Sequence, residues 1–319
     1  MKPILITCYV NPDIDGIAGI VAYREFLEKM GKNIVAGIIG KPHDEAMYIL
    51  DRFGISCPEI ILNADNFDEV ILVDASDLNG LEGKIAPEKV IEIIDHRKVH
   101  EADKFPNAKT QIELVGAAAT LIAEKFIQSK IDISKESAVL LCGAIISNTL
   151  NFKGGVTTER DKEVVMWLNR FAKLPENFWK ELFNAKSDLS GNKLQKHIEG
   201  DFAWFVMGGK KVGIAQIEMI GAGKLLKERG GEIIKELERI KEKMGLDYVF
   251  QNTIELEGVK NFFVTKHIRT QKLLEKVLNV KFIGAIAERP NLIMRKQITP
   301  LLKDELEKYN EPIGQGKLN

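Results

Sequence analysis

Cysteine is scarce in this chain. Its 319 residues include three, Cys8, Cys57 and Cys142. They are odd in number, far apart and without a CxxC pair, which excludes a disulfide framework and a thiolate zinc site and leaves them reading as small apolar side chains. Long apolar runs are also missing. The longest, Ala138 to Ile146, has about nine residues, against the roughly 20 that a membrane-spanning helix needs. The stretch between Met1-Lys2-Pro3 and Asn11 is too short for a secretory signal, so the sequence predicts a mature chain that starts at Met1 and stays in the cytoplasm. An excess of charge of one sign is absent as well. Lys+Arg 45 against Asp+Glu 46 gives −1, which removes the bulk field of a protein that wraps nucleic acid or coats an anionic membrane. An anion has to be gripped locally. No internal repeat or low-complexity tract is found, which excludes a repeat array.

What is present is an ordinary globular composition, 45% hydrophobic and 29% charged, with length for about two domains. In the first 150 residues, short β-branched runs alternate with amphipathic helical patterns. The runs are Ile4 to Thr7, Ile34 to Ile39, Val70 to Val73, Val90 to Ile94 and Gln111 to Val115. Most are continuously apolar, as strands buried on both faces of a parallel sheet are. With helices at Ile17 to Met30 and Glu45 to Phe53 between them, the rhythm predicts a doubly wound α/β sheet. Further helices are expected at Ala117 to Gln128, Lys135 to Ile146, Thr158 to Phe171 and Glu176 to Asn184.

The polar stretch Lys186 to Lys193 reads as a linker. Domains are therefore expected at residues 1–186 and 197–319, joined by 187–196. The second is a smaller α/β domain, with strands at Phe202 to Met207, Lys211 to Ala215, Asp247 to Gln251 and Asn261 to Thr265 around a charged helix from Ala222 to Met244. Residues 311–319 read as a frayed tail.

In an open parallel sheet, ligands bind beyond the carboxyl ends of the strands. There the first strand delivers Asn11-Pro12-Asp13-Ile14-Asp15-Gly16, the third ends in Asp74, and the fourth in Asp95-His96-Arg97. Taken singly, Asp13 and Asp15 suit a turn and a helix cap, and Asp95 suits a side chain that orients His96. Together, carboxylates converging on one rim repel unless a cation neutralises them, and this oxygen and nitrogen donor set favours a hard divalent ion such as Mn²⁺ or Mg²⁺. Gly208-Gly209 before Lys210-Lys211 suits a hairpin turn better than a phosphate cradle. His100, His197 and His267 have no spaced partners, and the run Lys224 to Lys243 has the Glu/Lys spacing of a solvated helix.

The motifs Asn11-Pro12-Asp13-Ile14-Asp15, Val73-Asp74, Ile94-Asp95-His96 and Gly116-Ala117-Ala118-Ala119-Thr120 resemble, in order and spacing, those of DHH phosphoesterases. Ile145 to Lys153, Gly208 to Gln216 and Arg295 to Pro300 resemble the DHHA2 branch, which holds manganese-dependent family II inorganic pyrophosphatases, exopolyphosphatases and prune proteins. The resemblance covers nearly the whole chain. It implies an N-terminal DHH domain and a C-terminal DHHA2 domain that clamps substrate in a cleft between them. It further implies one or two Mn²⁺ ions (or Mg²⁺ or Co²⁺) on Asp13, Asp15, Asp74, His96 and, in a weaker role, Asn148. Asp74, His96 and Arg97 would serve catalysis, and Arg97, Arg295 and Lys296 would hold phosphate. A homodimer through the first domain fits the family, and the only nucleic-acid partner it allows is a short oligonucleotide substrate.

Several positions depart from the family. Tyr9 stands where pyrophosphatases carry a histidine ligand, Arg97 where the third letter of Asp-His-His stands, and Asn148 where a late aspartate does. Ala203 and Met294 replace basic residues, while the prune proteins share Asp-His-Arg. A neutral phenol and an amide are weaker Mn²⁺ ligands than imidazole and carboxylate. The sequence thus predicts a divalent-metal-dependent phosphohydrolase acting on pyrophosphate, short polyphosphate or a nucleotide phosphoester. The alternative is a phosphate-ligand sensor or scaffold with a degenerate metal site and little turnover.

Overall fold

A computed structural model describes residues 2–187, 189, 191 and 193–308. The chain divides into two compact units, Met1–Ala185 and Lys186–Asn319.

In the first unit a six-stranded sheet has the order β3-β2-β1-β4-β5-β6, from β1 (Ile4–Thr7), β2 (Ile34–Ile39), β3 (Glu59–Ile61), β4 (Val70–Val73), β5 (Val90–Asp95) and β6 (Lys109–Ile112). Every pairing is parallel, because helical crossovers return the chain to the same edge. All four residues of β4 are buried, as the continuous apolar run requires of a strand covered on both faces. Helix α1 (Ile14–Lys29) packs on α3 (Ala118–Ser129) and α4 (Lys135–Asn148), and α4 in turn on α5 (Glu159–Ala172) and α2 (Asp44–Phe53). Helix α6 (Phe178–Lys186) ends this part of the fold. Since β2 and β4 lie on opposite sides of β1, the loops after β1 and β4 leave the sheet at a topological switch point.

The second unit has a sheet of order β11-β12-β10-β9-β8-β7, built from β7 (Phe202–Met207), β8 (Lys210–Met219), β9 (Tyr248–Glu255), β10 (Lys260–Val264), β11 (Phe282–Ile283) and β12 (Ile286–Pro290). Its one parallel pair is β8 with β9, joined by the long crossover helix α8 (Ala222–Met244). Helices α7 (Lys193–Gly200) and α8 bury Leu194, Ile198, Ile233 and Leu237 on one face. Helices α9 (Ile268–Leu278) and α10 (Arg295–Glu307) bury Leu274, Leu278, Ile298 and Leu302 on the other.

Several expectations need correction. Residues 193–196, expected as linker, form the first turn of α7, whose Leu194 and Ile198 share one apolar face. Asp188, Ser190 and Asn192 of that stretch, and the expected tail at 311–319, lie outside the described residues. The strand expected at Gln111 to Val115 begins at Lys109 and stops at Ile112, leaving Leu114 exposed. Being an edge strand, it tolerates the polar Lys109-Thr110 start. Strand β3 is too short to show a period. Helices α9 and α10 and strand β12 were not expected, because their apolar faces emerge only against the sheet. Gly208 and Gly209 are the hairpin turn between β7 and β8, both at positive φ.

Candidate metal centre

The loop after β1 is lashed to the end of β2. The Asn11 N–H donates to the Ile39 carbonyl at 2.9 Å, and its side-chain oxygen accepts from the Lys41 N–H at 3.1 Å. Asn11 reaches this geometry in the left-handed region, at φ 56°, which asparagine tolerates. Asp13 is the N-cap of α1, its Oδ1 accepting from the Asp15 and Gly16 N–H groups at 2.7 and 3.2 Å. At Gly16 an added Cβ would lie 2.9 Å from Cys8 Sγ and 3.1 Å from Pro12 Cβ, so only glycine lets the helix start this close to the strand.

Asp15, on the first turn of α1, is fully buried. Its carboxylate accepts from the Ala118 and Ala119 N–H groups at 2.8 and 2.9 Å, at the N-terminus of α3, and from Asn148 Nδ2 at 2.7 Å. Asp74 follows β4 at φ 52°, a strained conformation for a non-glycine residue of the kind that persists where the surroundings over-determine it. Its N–H donates to the Ile94 carbonyl at 2.8 Å. His96 sits just past β5. Its Nδ1 lies 3.0 Å from the Val115 carbonyl; a carbonyl can only accept, so Nδ1 carries the proton and Nε2 is turned to Asp74 and Asp15, at 3.5 and 3.7 Å. This is how proteins fix an imidazole for metal ligation. Among the described residues, ligand atoms of Asp15, Asp74 and His96 lie within 4.8 Å of one another. Asp95 does not join them. It accepts from the Ser76 hydroxyl and the His96 N–H, the orienting role.

The electrostatics show what the arrangement wants. Burial and Asp74 push the Asp15 carboxyl well above the usual carboxylate range, against the pull of His96. Burial opposes charge on His96, yet Asp74, Asp15 and the Val115 carbonyl outweigh it and raise its pKa to about 9. Both shifts have one origin, a surplus of buried negative charge, which a divalent cation would relieve. The donors are hard oxygens and one imidazole nitrogen, the set that suits Mn²⁺.

Tyr9 and Arg97 occupy the flank of this cluster. The Tyr9 hydroxyl accepts from the Asp13 N–H at 3.0 Å, and burial together with Asp13 and Asp74 pushes its pKa well up, so the phenol stays protonated. The Arg97 guanidinium lies 5.4 Å from the centre of the Tyr9 ring and donates to the Asp74 carbonyl at 2.7 Å. Burial disfavours its charge, but Asp74 and Asp95 more than compensate, pushing its pKa further up.

Asp161 is the residue that sequence reasoning missed. It is fully buried, and its carboxylate accepts from the Gly116 N–H, the Thr120 hydroxyl, and the N–H and hydroxyl of Thr158. It thus pins the 115–119 segment that supplies both the His96 acceptor and the two N–H groups on Asp15. Gly116 has no room for a side chain, since a Cβ would meet Thr149 Cγ2 at 2.4 Å. The available signal was Thr158-x-x-Asp161, a capping box at the start of α5.

Of the other expected residues, Arg295 and Lys296 open α10 in the second unit. The Arg295 guanidinium is spent on Asp201, at 2.5 Å from its carboxylate and 2.7 Å from its carbonyl, and Lys296 is exposed. Met294 is the N-cap of α10 and Ala203 lies in β7. His267 pairs with Glu238 at 2.6 Å. Asn148 acts as a donor to Asp15. Asn148→Asp would therefore set two carboxylates side by side in a buried site. The metal-free variant should melt lower than the parent, and Mn²⁺ should bind about tenfold more tightly. Thermal melts with and without Mn²⁺ check both. An unchanged melting temperature would show that Asn148 does not face Asp15.

The DHH family N-terminal domain model matches residues 3–145, and the DHHA2 domain model matches residues 180–305. The chain is 30% identical over 312 residues, covering 96% of this chain and 100% of the relative, to a Bacillus cereus protein named as a manganese-dependent inorganic pyrophosphatase. It is 29% identical over 309 residues, covering 96% and 99%, to the manganese-dependent inorganic pyrophosphatase of Methanothrix thermoacetophila. A crystal structure of a Methanococcus jannaschii protein assigned to the family II inorganic pyrophosphatases superposes with a TM-score of 0.76 at 30% identity, covering 98% of this chain and 100% of that one. With two domain models in order and relatives aligned end to end, this chain belongs to the DHH–DHHA2 family of the manganese-dependent inorganic pyrophosphatases.

Proposed function

We propose that the chain is a manganese-dependent phosphohydrolase whose substrate is pyrophosphate. The observation that carries this reading is the convergence of Asp15, Asp74 and His96 at the switch point of the parallel sheet, in a chain whose full-length relatives are named as pyrophosphatases. The donor set fits the ion, and the three residues would hold it. When bound, Mn²⁺ supplies Lewis-acid chemistry, lending positive charge to phosphoryl oxygens and making water a better nucleophile at neutral pH.

The chain's own residues prepare that chemistry. Val115 holds the His96 ring with Nε2 turned inward, the nitrogen that would give up its proton to a bound ion. The N-terminus of α3 and Asn148 hold Asp15 so that its carboxylate does not have to reorganise. Arg97 keeps Asp74 in place through its carbonyl, and a third of its side chain remains exposed, enough for a guanidinium edge to meet a phosphate oxygen.

Phosphate release from pyrophosphate, tripolyphosphate, longer polyphosphate, cyclic dinucleotides and short oligonucleotides, each with Mn²⁺, Co²⁺ or Mg²⁺, tests the reading. Turnover should be fastest on pyrophosphate with Mn²⁺. Faster release from a nucleotide ester or a long polyphosphate would overturn the choice of substrate. Tight binding without release from any of them would favour a phosphate-ligand sensor, a reading that Tyr9, tied to the Asp13 N–H in place of a ligand, supports.

A further inference from the structure

Arg97 is fixed among three aspartates. Besides its bond to the Asp74 carbonyl, Nη2 lies 3.9 Å from Asp74 Oδ1, Nη1 lies 3.4 Å from Asp77 Oδ2, and Nε lies 3.7 Å from Asp95 Oδ1. The Tyr9 ring centre lies 5.4 Å from the guanidinium. Asp74 Oδ1 is the same oxygen that faces His96 Nε2 at 3.5 Å. Asp74 Oδ1 is therefore shared between the three-donor cluster and a permanent cation.

The donors beside Tyr9 already make bonds of their own. Asp13 Oδ1 caps α1, and the Tyr9 hydroxyl accepts the Asp13 N–H. Among the described residues, only one group of three ligand atoms converges, that of Asp15, Asp74 and His96, and Asp13 is not part of it. A divalent ion placed beside Tyr9 would meet a phenol already bound to the Asp13 N–H, a carboxylate with one oxygen held by the helix cap, and a guanidinium 3.9 Å from Asp74 Oδ1.

We propose that Arg97 is the built-in counter-charge of this centre, standing on Asp74 in place of a second cation, so that the chain works with a single divalent ion held by Asp15, Asp74 and His96. The proposal rests on the metal reading given above. Arg97 is thereby a positioning residue for Asp74. A guanidinium is well suited to the task, because it stays charged, presents planar donors to several carboxylates and carbonyls at once, and stacks on an aromatic ring.

Titration of the metal-stripped full chain with Mn²⁺, followed by calorimetry and by electron paramagnetic resonance, tests this directly. One ion per chain is expected, with the spectrum of an isolated Mn²⁺. Arg97→Gln removes a like charge near the bound ion and should tighten it by about tenfold, and Arg97→Lys should restore the parent affinity. The double variant Tyr9→His plus Arg97→His should take up a second ion, with exchange coupling appearing in the spectrum. Two coupled ions in the unaltered chain, or an Arg97→Gln variant that binds Mn²⁺ no more tightly than the parent, would overturn the role given to Arg97 while leaving the phosphohydrolase reading intact. No Mn²⁺ bound by the unaltered chain would overturn both. The spectrum of the parent decides the matter even if the double variant does not fold.

Discussion

Asp74→Asn is expected to lose Mn²⁺ binding by at least a hundredfold and with it all measurable phosphate release, while the chain stays folded. Changes outside the immediate ligands already cost metal sites about 10–100-fold in affinity, and here a ligand itself changes from a charged oxygen donor to a neutral amide. Asparagine is the informative replacement for two reasons. It keeps the volume of a nearly buried side chain, and it is one of the few residues at ease at the φ of 52° that this position adopts. An alanine would add backbone strain to the loss of the ligand. Because Asp74 and Asp15 repel one another across a buried site, the metal-free variant should melt at or above the temperature of the metal-free parent. Calorimetry gives the affinity and circular dichroism the melting temperature. A variant that binds Mn²⁺ as tightly as the parent would remove Asp74 from the site.

The second large effect is expected at Asp161, which touches no ligand in the cluster. Asp161→Ala leaves the Gly116 and Thr158 N–H groups and the Thr120 and Thr158 hydroxyls without their acceptor. Buried donors stripped of a charged acceptor should cost on the order of 3 kcal/mol, which in a unit of this size lowers the melting temperature by roughly 10 °C. The loss reaches the site as well. Once the 115–119 segment is no longer pinned at Gly116, both the Val115 carbonyl on His96 and the N–H groups on Asp15 lose their fixed geometry. Mn²⁺ affinity should fall by about tenfold, measured well below the melting transition so that unfolding does not contribute. Asp161→Asn, which retains an acceptor, should recover part of both losses. A destabilised Asp161→Ala that binds Mn²⁺ as well as the parent would confine Asp161 to a purely structural role.

Much of the architecture and the heart of the candidate site were legible in the residues. A continuously apolar, β-branched run such as Val70 to Val73 suits a strand covered on both faces, and alternation with amphipathic helices points to a parallel sheet. Once the strands are known, Asp13, Asp15, Asp74, Asp95, His96 and Arg97 fall on one rim, because chain direction places all the carboxyl ends together. Which of these side chains converge was decided by tertiary structure. Asp13 and Asp15 are two residues apart, yet one caps a helix and the other is buried against the end of α3, a difference set by helix packing more than 100 residues along the chain. Asn148 reads as a weakened ligand, and the fold sets its Nδ2 against Asp15. Asp161 carries no motif of its own beyond a helix cap, and it matters because α5 brings it beneath Gly116. Arg295 reads as a phosphate contact, and only the fold shows its ion pair with Asp201. Periodicity and strand direction are local properties of a chain, whereas the partner of a buried charge depends on which distant segment is packed against it.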